Sequence, residues 1–192
     1  MRRLITAILL LLPLGAVAAP VTYALQTDRS EVGFVYTLSG ASTRGSMPVR
    51  AARIVIDLDR FSNSSADVTL DVAGARAGLI FATEALKAAS VLDARTHPTI
   101  RFQSTAIRAN NPRNLSEGGQ IDGLLTIRGV TRPVTLNAAV FRQRGAAEDD
   151  LSQLSFRISG AVKRSDFGAT GYGDIVADTI SIDIAARVIA AP

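Results

Sequence analysis

Apolar and polar side chains alternate with a period of two along most of this chain. Val32, Phe34, Tyr36 and Leu38 alternate with Gly33, Val35 and Thr37, and Ile54, Ile56 and Leu58 are separated by Val55 and Asp57. The pattern recurs in Val68–Val72, at Ile100/Phe102, Ile121/Gly123/Leu125/Ile127, Val134/Leu136/Ala138/Val140, Leu154/Phe156/Ile158 and Ile180/Ile182/Ile184. Such a period gives a strand one dry face and one wet face. About eight such runs joined by short turns predict an all-β chain, an antiparallel barrel or sandwich. Turn-forming residues punctuate the runs at Arg60–Ser65, Asn110–Pro112, Glu117–Gly119, Arg128–Pro133 and Arg144–Asp150. No repeat and no Pro/Ser-rich linker divides the chain, so one domain over 19–192 is expected.

One segment departs from the alternation. Leu79, Ala82, Leu86 and Ala89 fall at helical spacing with Glu84 and Lys87 between them. The alanine-rich composition favours a helix near 79–92. Such a helix either crosses a barrel end as a flap or plug, or covers the sheet.

The first 18 residues read as a secretory signal peptide to be removed. Arg2 and Arg3 precede the apolar run Leu4–Leu12, Pro13 and Gly15 break it, and Ala16-Val17-Ala18 offers a cleavage site. The run is shorter than the roughly 20 residues of a membrane-spanning helix, so export to the periplasm without stable membrane insertion is expected. Loss of Arg2 and Arg3 reduces the net charge from +4 to +2. The remaining cations are scattered singly among acids, which argues against nucleic-acid binding.

Residue content removes much enzyme chemistry. With no Cys and a single His, thiolate metal sites, Fe–S clusters, cysteine nucleophiles and multi-histidine metal sites are excluded. His97 has no Gly-x-Ser-x-Gly elbow to serve, and it reads as a structural or surface residue. Asp57, Asp59, Asp67, Asp71 and Asp183 read as solvent-facing strand or turn residues, and Glu148-Asp149-Asp150 as a loop charge run. Gly118-Gly119 and Gly171-Tyr172-Gly173 lack the strand–loop–helix setting of a phosphate loop. No catalytic residue, metal or cofactor is expected.

The inward positions are Phe, Leu, Ile and Val with almost no charge, interrupted by Gly123, Ala138 and Gly160. A small barrel either fills its interior with side chains or holds one apolar ligand. If a ligand is held, the expected lining is Phe34, Tyr36, Phe102, Leu125, Leu136, Ala138, Phe156, Ile158 and Ile182. Arg101, Thr135 and Arg157 should then face water.

Three segments resemble the YceI-like family of periplasmic, lipocalin-like barrels associated with polyisoprenoid and other long-chain lipids. Gly123–Leu136 is similar to a family hairpin of the form G-x-L-T-I-x-G-V-T-x-P-V-x-L, and Lys163–Gly168 contains its R-S-D-F-G box. His97-Pro98 with Ile100–Thr105 resembles Y-P-x-I-x-F-x-S-T. The resemblance implies a lipocalin-like barrel that binds a long apolar chain (polyisoprenoid, quinone or fatty-acyl-like) for transport or storage. Its alternative is a non-catalytic accessory module with a filled barrel. Oligomeric state stays open, a homodimer included. The family's opening Asp and His are replaced at Gln26 and Arg29 within Tyr23–Phe34. Its R-D-x-H-L element reads Ala82-Thr83-Glu84-Ala85-Leu86, and the Phe before its Y-P pair reads Val91. These departures imply a ligand whose head is less polar than the family's, or absent.

Overall fold

The computed structural model describes residues 20–191 apart from 58, 59, 112, 113, 115, 116, 144, 148 and 149. The signal-peptide reading of residues 1–18 lies outside the described residues, as do Leu58, Asp59, Glu148 and Asp149. The strands are β1 Val21–Leu25, β2 Glu31–Leu38, β3 Ala41–Met47, β4 Val49–Ile56, β5 Ser65–Asp71, β6 Thr99–Ala109, β7 Gly119–Ile127, β8 Val130–Arg142, β9 Gln153–Lys163 and β10 Thr179–Ala190. One α-helix, α1, spans Ile80–Lys87.

The sheet runs β1-β4-β5-β6-β7-β8-β9-β10-β2-β3 and closes through β1–β10. Every pairing is antiparallel. One edge of β10 pairs with β2 at Ser181–Ala185 and with β1 at Val188–Ala190. β1 and β2 thus share one position in the wall, broken at Gln26–Ser30, and β3 and β4 share the next, broken at Pro48. The ten strands fill eight positions of a closed barrel. Eight alternating runs were legible as strands; β1 and β3 were not. The sequence of β3, Ala-Ser-Thr-Arg-Gly-Ser-Met, carries too few apolar residues to mark a dry face.

Two packed clusters sit toward the barrel's ends. At the end that carries α1, Met47, Val72, Ala75, Leu92, Ile100, Leu125 and Phe167 pack together. Toward the other end, where residues 20 and 191 lie, Tyr23, Ile56, Leu154 and Val188 do so. Leu154, Val188, Val72 and Phe167 are the largest fully buried side chains.

The helix is shorter than its composition predicts. It ends at Lys87, and Ala88 is already extended at φ −63, ψ 158. The next carbonyls are taken by partners from elsewhere in the fold. Arg128 Nη1 donates to Ala89 O at 2.5 Å and Val91 O at 2.8 Å, and Gly171 N–H donates to Ser90 O at 2.8 Å. Tertiary hydrogen bonds therefore override local helix propensity over 88–92.

Candidate ligand cavity

A cavity of about 450 Å³ occupies the barrel interior, walled by side chains from all ten strands and from α1. Its volume falls within the roughly 300–1,000 Å³ of small-molecule pockets. The structure places all nine expected lining residues on this wall: Phe34, Tyr36, Phe102, Leu125, Leu136, Ala138, Phe156, Ile158 and Ile182. Tyr36, Leu125 and Leu136 are buried, whereas the other six are only half-buried although they point inward. That incomplete covering is the signature of a space they line but do not fill. Arg101, Thr135 and Arg157, one position over, are exposed on the outer face.

The small inward residues do not all contribute space. A Cβ on Gly123 would stand 2.4 Å from Phe102 Cε2, and one on Gly160 would stand 2.6 Å from Leu136 Cδ2. Phe102 and Leu136 fill those two hollows; Ala138 stays on the open wall.

The mouth lies at the helix end. Phe81, Tyr172 and Ile175 are 65%, 46% and 43% exposed and also line the cavity, so each belongs to the interior and the surface at once. Ala82, Ala85 and Leu86 of α1 join them on the wall. This is a flap at the opening, not a helix laid on the outer face of the sheet. Tyr36 fixes one side of the mouth: its hydroxyl donates to Ala77 O at 2.7 Å, tying β2 to the segment leading into α1. Burial raises the pKa of the Tyr36 phenol, and that of Tyr23, whose hydroxyl donates to Leu151 O at 2.9 Å.

The loop positions Tyr172 and Ile175 carried no periodic signal and were missed from sequence. So were two arginines that border the cavity, Arg108 and Arg164. Arg108 forms an ion pair with Asp122, which also accepts from Thr135 Oγ1 at 2.7 Å. Those two donors, Thr135 first, hold the Asp122 carboxyl below the usual carboxylate range. On the outer face, Arg101 Nη2 meets Asp67 Oδ2 at 2.6 Å and lowers the Asp67 pKa, and Arg44 meets Asp183 at 2.7 Å.

One acidic residue departs from expectation. Asp57 is buried, at 4% exposure, and is not solvent-facing. Its carboxylate accepts from Arg60 N–H and Asn63 Nδ2, both at 2.8 Å, and its own N–H donates to Ser64 Oγ at 2.9 Å. The carboxylate is spent on shaping the β4–β5 connection, which makes burial tolerable. His97 is half-buried with its ring against Gly129, where an added Cβ would lie 3.2 Å from Cε1. Among the described residues no group of three or more His, Asp or Glu could hold a metal ion, and no helix is long and apolar enough to cross a membrane.

A closed antiparallel barrel enclosing an apolar cavity behind a helical flap defines a lipocalin-like barrel. The chain belongs to the YceI-like domain family, whose family model matches residues 23–188. It is similar in fold to BcnA of Burkholderia cenocepacia, with TM-score 0.73 and 23% identity over 85% of this chain and 99% of that one. A second similar fold is a polyisoprenoid binding domain from Saccharophagus degradans implicated in plant cell wall breakdown. Its TM-score is 0.61 and its identity 13%, over 89% of this chain and 99% of that domain. The chain spans about half the length of the curated relatives it matches. A UPF0312 protein of Serratia proteamaculans is 30% identical over 111 residues, 57% of this chain and 54% of that protein.

Proposed function

We propose that this protein holds one long apolar molecule, of polyisoprenoid, quinone or fatty-acyl type, inside its barrel for transport or storage. The observation that carries the reading is the continuous apolar cavity, whose wall side chains remain half-covered between two packed end clusters. An apolar chain entering it gains about 25 cal/mol for each Å² removed from water, without any catalytic group. The description of the Saccharophagus domain as polyisoprenoid binding supports the same ligand class. We place the protein in the periplasm, after removal of residues 1–18, on the order of charged, apolar and small residues there. The filled hollows at Gly123 and Gly160 favour the accessory-module reading, but they leave the cavity beside them open.

Native mass spectrometry of the protein secreted from its own host, followed by organic extraction, tests this. A stoichiometric apolar adduct is expected. Protein that carries none, and takes up none when offered a neutral apolar probe, would return the reading to a filled accessory barrel.

A further inference from the structure

Strand pairing does not close the barrel wall everywhere. β6 spans Thr99–Ala109, but β5 pairs with it only from Thr99 to Gln103. The second half of β6 therefore has no strand partner on that side among the described residues. Where the ladder ends, Ala66 N–H donates to Ser104 Oγ at 2.8 Å. On the opposite edge the β6–β7 register shifts between Ser104 and Ala106, and such a bulge bends a strand. The β4–β5 connection stands beside the gap instead. Its 3-10 turn, Phe61–Asn63, packs near β6 and is held by the Asp57 carboxylate through Arg60 N–H and Asn63 Nδ2.

The cavity reaches this gap. Phe61, Ala66, Ile107 and Ala109 are half-buried and line it. Ser65 is exposed and borders it as well, although the alternation turns Ser65 outward. The packed cluster toward this end draws on β1, β4, β8, β9 and β10 and takes no residue from β5, β6 or β7. One part of the circumference is thus sealed, and the other is lined by half-covered apolar side chains. The helix-end mouth is built differently. There Arg164 Nη1 donates to Ala169 O at 2.9 Å and Gly171 O at 2.6 Å, which holds the loop carrying Tyr172 and Ile175.

Resting on the lipid-binding reading, we infer that the gap between Phe61 and Ile107 is a side exit, so the barrel takes apolar chains longer than itself. The tail of such a chain leaves between β5 and β6, past the Phe61 ring. Chain length then separates two kinds of cavity. Each further CH2 buried adds affinity until the interior is full. In a cavity closed at its far end, a longer chain must then fold back or overpack, and affinity falls. With a side exit the affinity levels off.

The test uses neutral prenols of increasing length, farnesol, geranylgeraniol and solanesol, which displace the fluorescent probe N-phenyl-1-naphthylamine. Wild type should bind solanesol no more weakly than geranylgeraniol. Ile107→Trp narrows the gap and should weaken solanesol relative to farnesol by about tenfold, the worth of roughly two buried CH2 groups. The chain has no Trp, so Phe61→Trp keeps an aromatic ring at the gap and makes it the single indole reporter. Acrylamide quenching of that indole should fall more with saturating solanesol than with farnesol. This reading decides the matter if Ile107→Trp fails to fold. Exclusion of solanesol by a wild type that binds the shorter prenols overturns the inference and leaves the lipid reading standing. So does an equal loss of farnesol and solanesol in Ile107→Trp, or an indole that solanesol protects no better than farnesol. No binding of probe or prenol by wild type overturns the lipid reading itself.

Discussion

The ring of Phe34 lies where a side chain at position 45 would have to stand: a Cβ there would be 2.2 Å from Phe34 Cζ and 2.6 Å from Arg76 O. Phe34 and Gly45 face each other across the β2–β3 pairing, so the glycine is what lets the ring lie flat against the wall. Gly45→Ala should therefore destabilise the barrel by about 1–3 kcal/mol, since the Arg76 backbone cannot yield as a side-chain tip can. Urea denaturation checks this, and a change within experimental error would contradict the packing described.

Ala138 stands on the open wall, so its enlargement reads the cavity directly. Ala138→Trp should abolish binding of a neutral apolar probe while shifting the thermal midpoint little, because the ring enters space that is not filled. In a close-packed interior the same change would cost about 1–3 kcal/mol. A large fall in melting temperature, together with a parent protein that binds no probe, would speak for the filled barrel.

Removing the Tyr36 hydroxyl leaves Ala77 O without its donor. Tyr36→Phe should cost about 1 kcal/mol in a denaturant titration. Faster amide exchange should follow over the segment that leads into α1, with the rest of the barrel unaffected.

Asp57 should matter more than a surface carboxylate. Asp57→Ala removes the acceptor of both Arg60 N–H and Asn63 Nδ2, and a loss of about 1–3 kcal/mol is expected. Asp57→Asn, which keeps one acceptor oxygen, should recover part of it in the same titration.

Stability should fall at both extremes of pH. Asp67, Asp122 and Asp178 have pKa values lowered in the fold by Arg101, by Thr135 with Arg108, and by Ser165 respectively. Their contribution is complete above the ordinary Asp value of about 3.9 and is lost as pH drops through the lowered values. The raised Tyr23 and Tyr36 phenols act in the opposite sense: their contribution is complete below about 10 and is lost as pH climbs through the raised values. Melting temperature measured against pH should show this plateau. Asp67→Asn should soften the acid limb only slightly, about 0.5 kcal/mol or less, because the Arg101 pair is largely exposed.

The wall was legible in the sequence because inward and outward residues alternate along one strand. Phe102 beside Arg101 and Leu136 beside Thr135 announce their faces without coordinates. The mouth was not legible, since Tyr172 and Ile175 reach the cavity through a loop held by Arg164, and no period marks a loop. The helix end was misjudged for a related reason. Ala88 and Ala89 favour continuation, but Leu92, Ala94 and Asp93 N–H groups turn back onto the carbonyls of Leu86, Lys87 and Ala88, and the distant Arg128 and Gly171 claim those of 89–91. Asp57 was misread because a carboxylate that organises a turn looks, in sequence, like one that solubilises it.

Closure of the barrel brings the described ends of the chain side by side. Tyr23 pairs with Ala190, and Ala191 N–H donates to Thr22 O at 2.8 Å, at the end remote from Phe81 and Tyr172. A short peptide could bridge residues 20 and 191, making the domain a candidate for circular permutation. The same corner is a natural handle: an affinity tag, a solid support or a fused reporter attached there would leave the opening unobstructed.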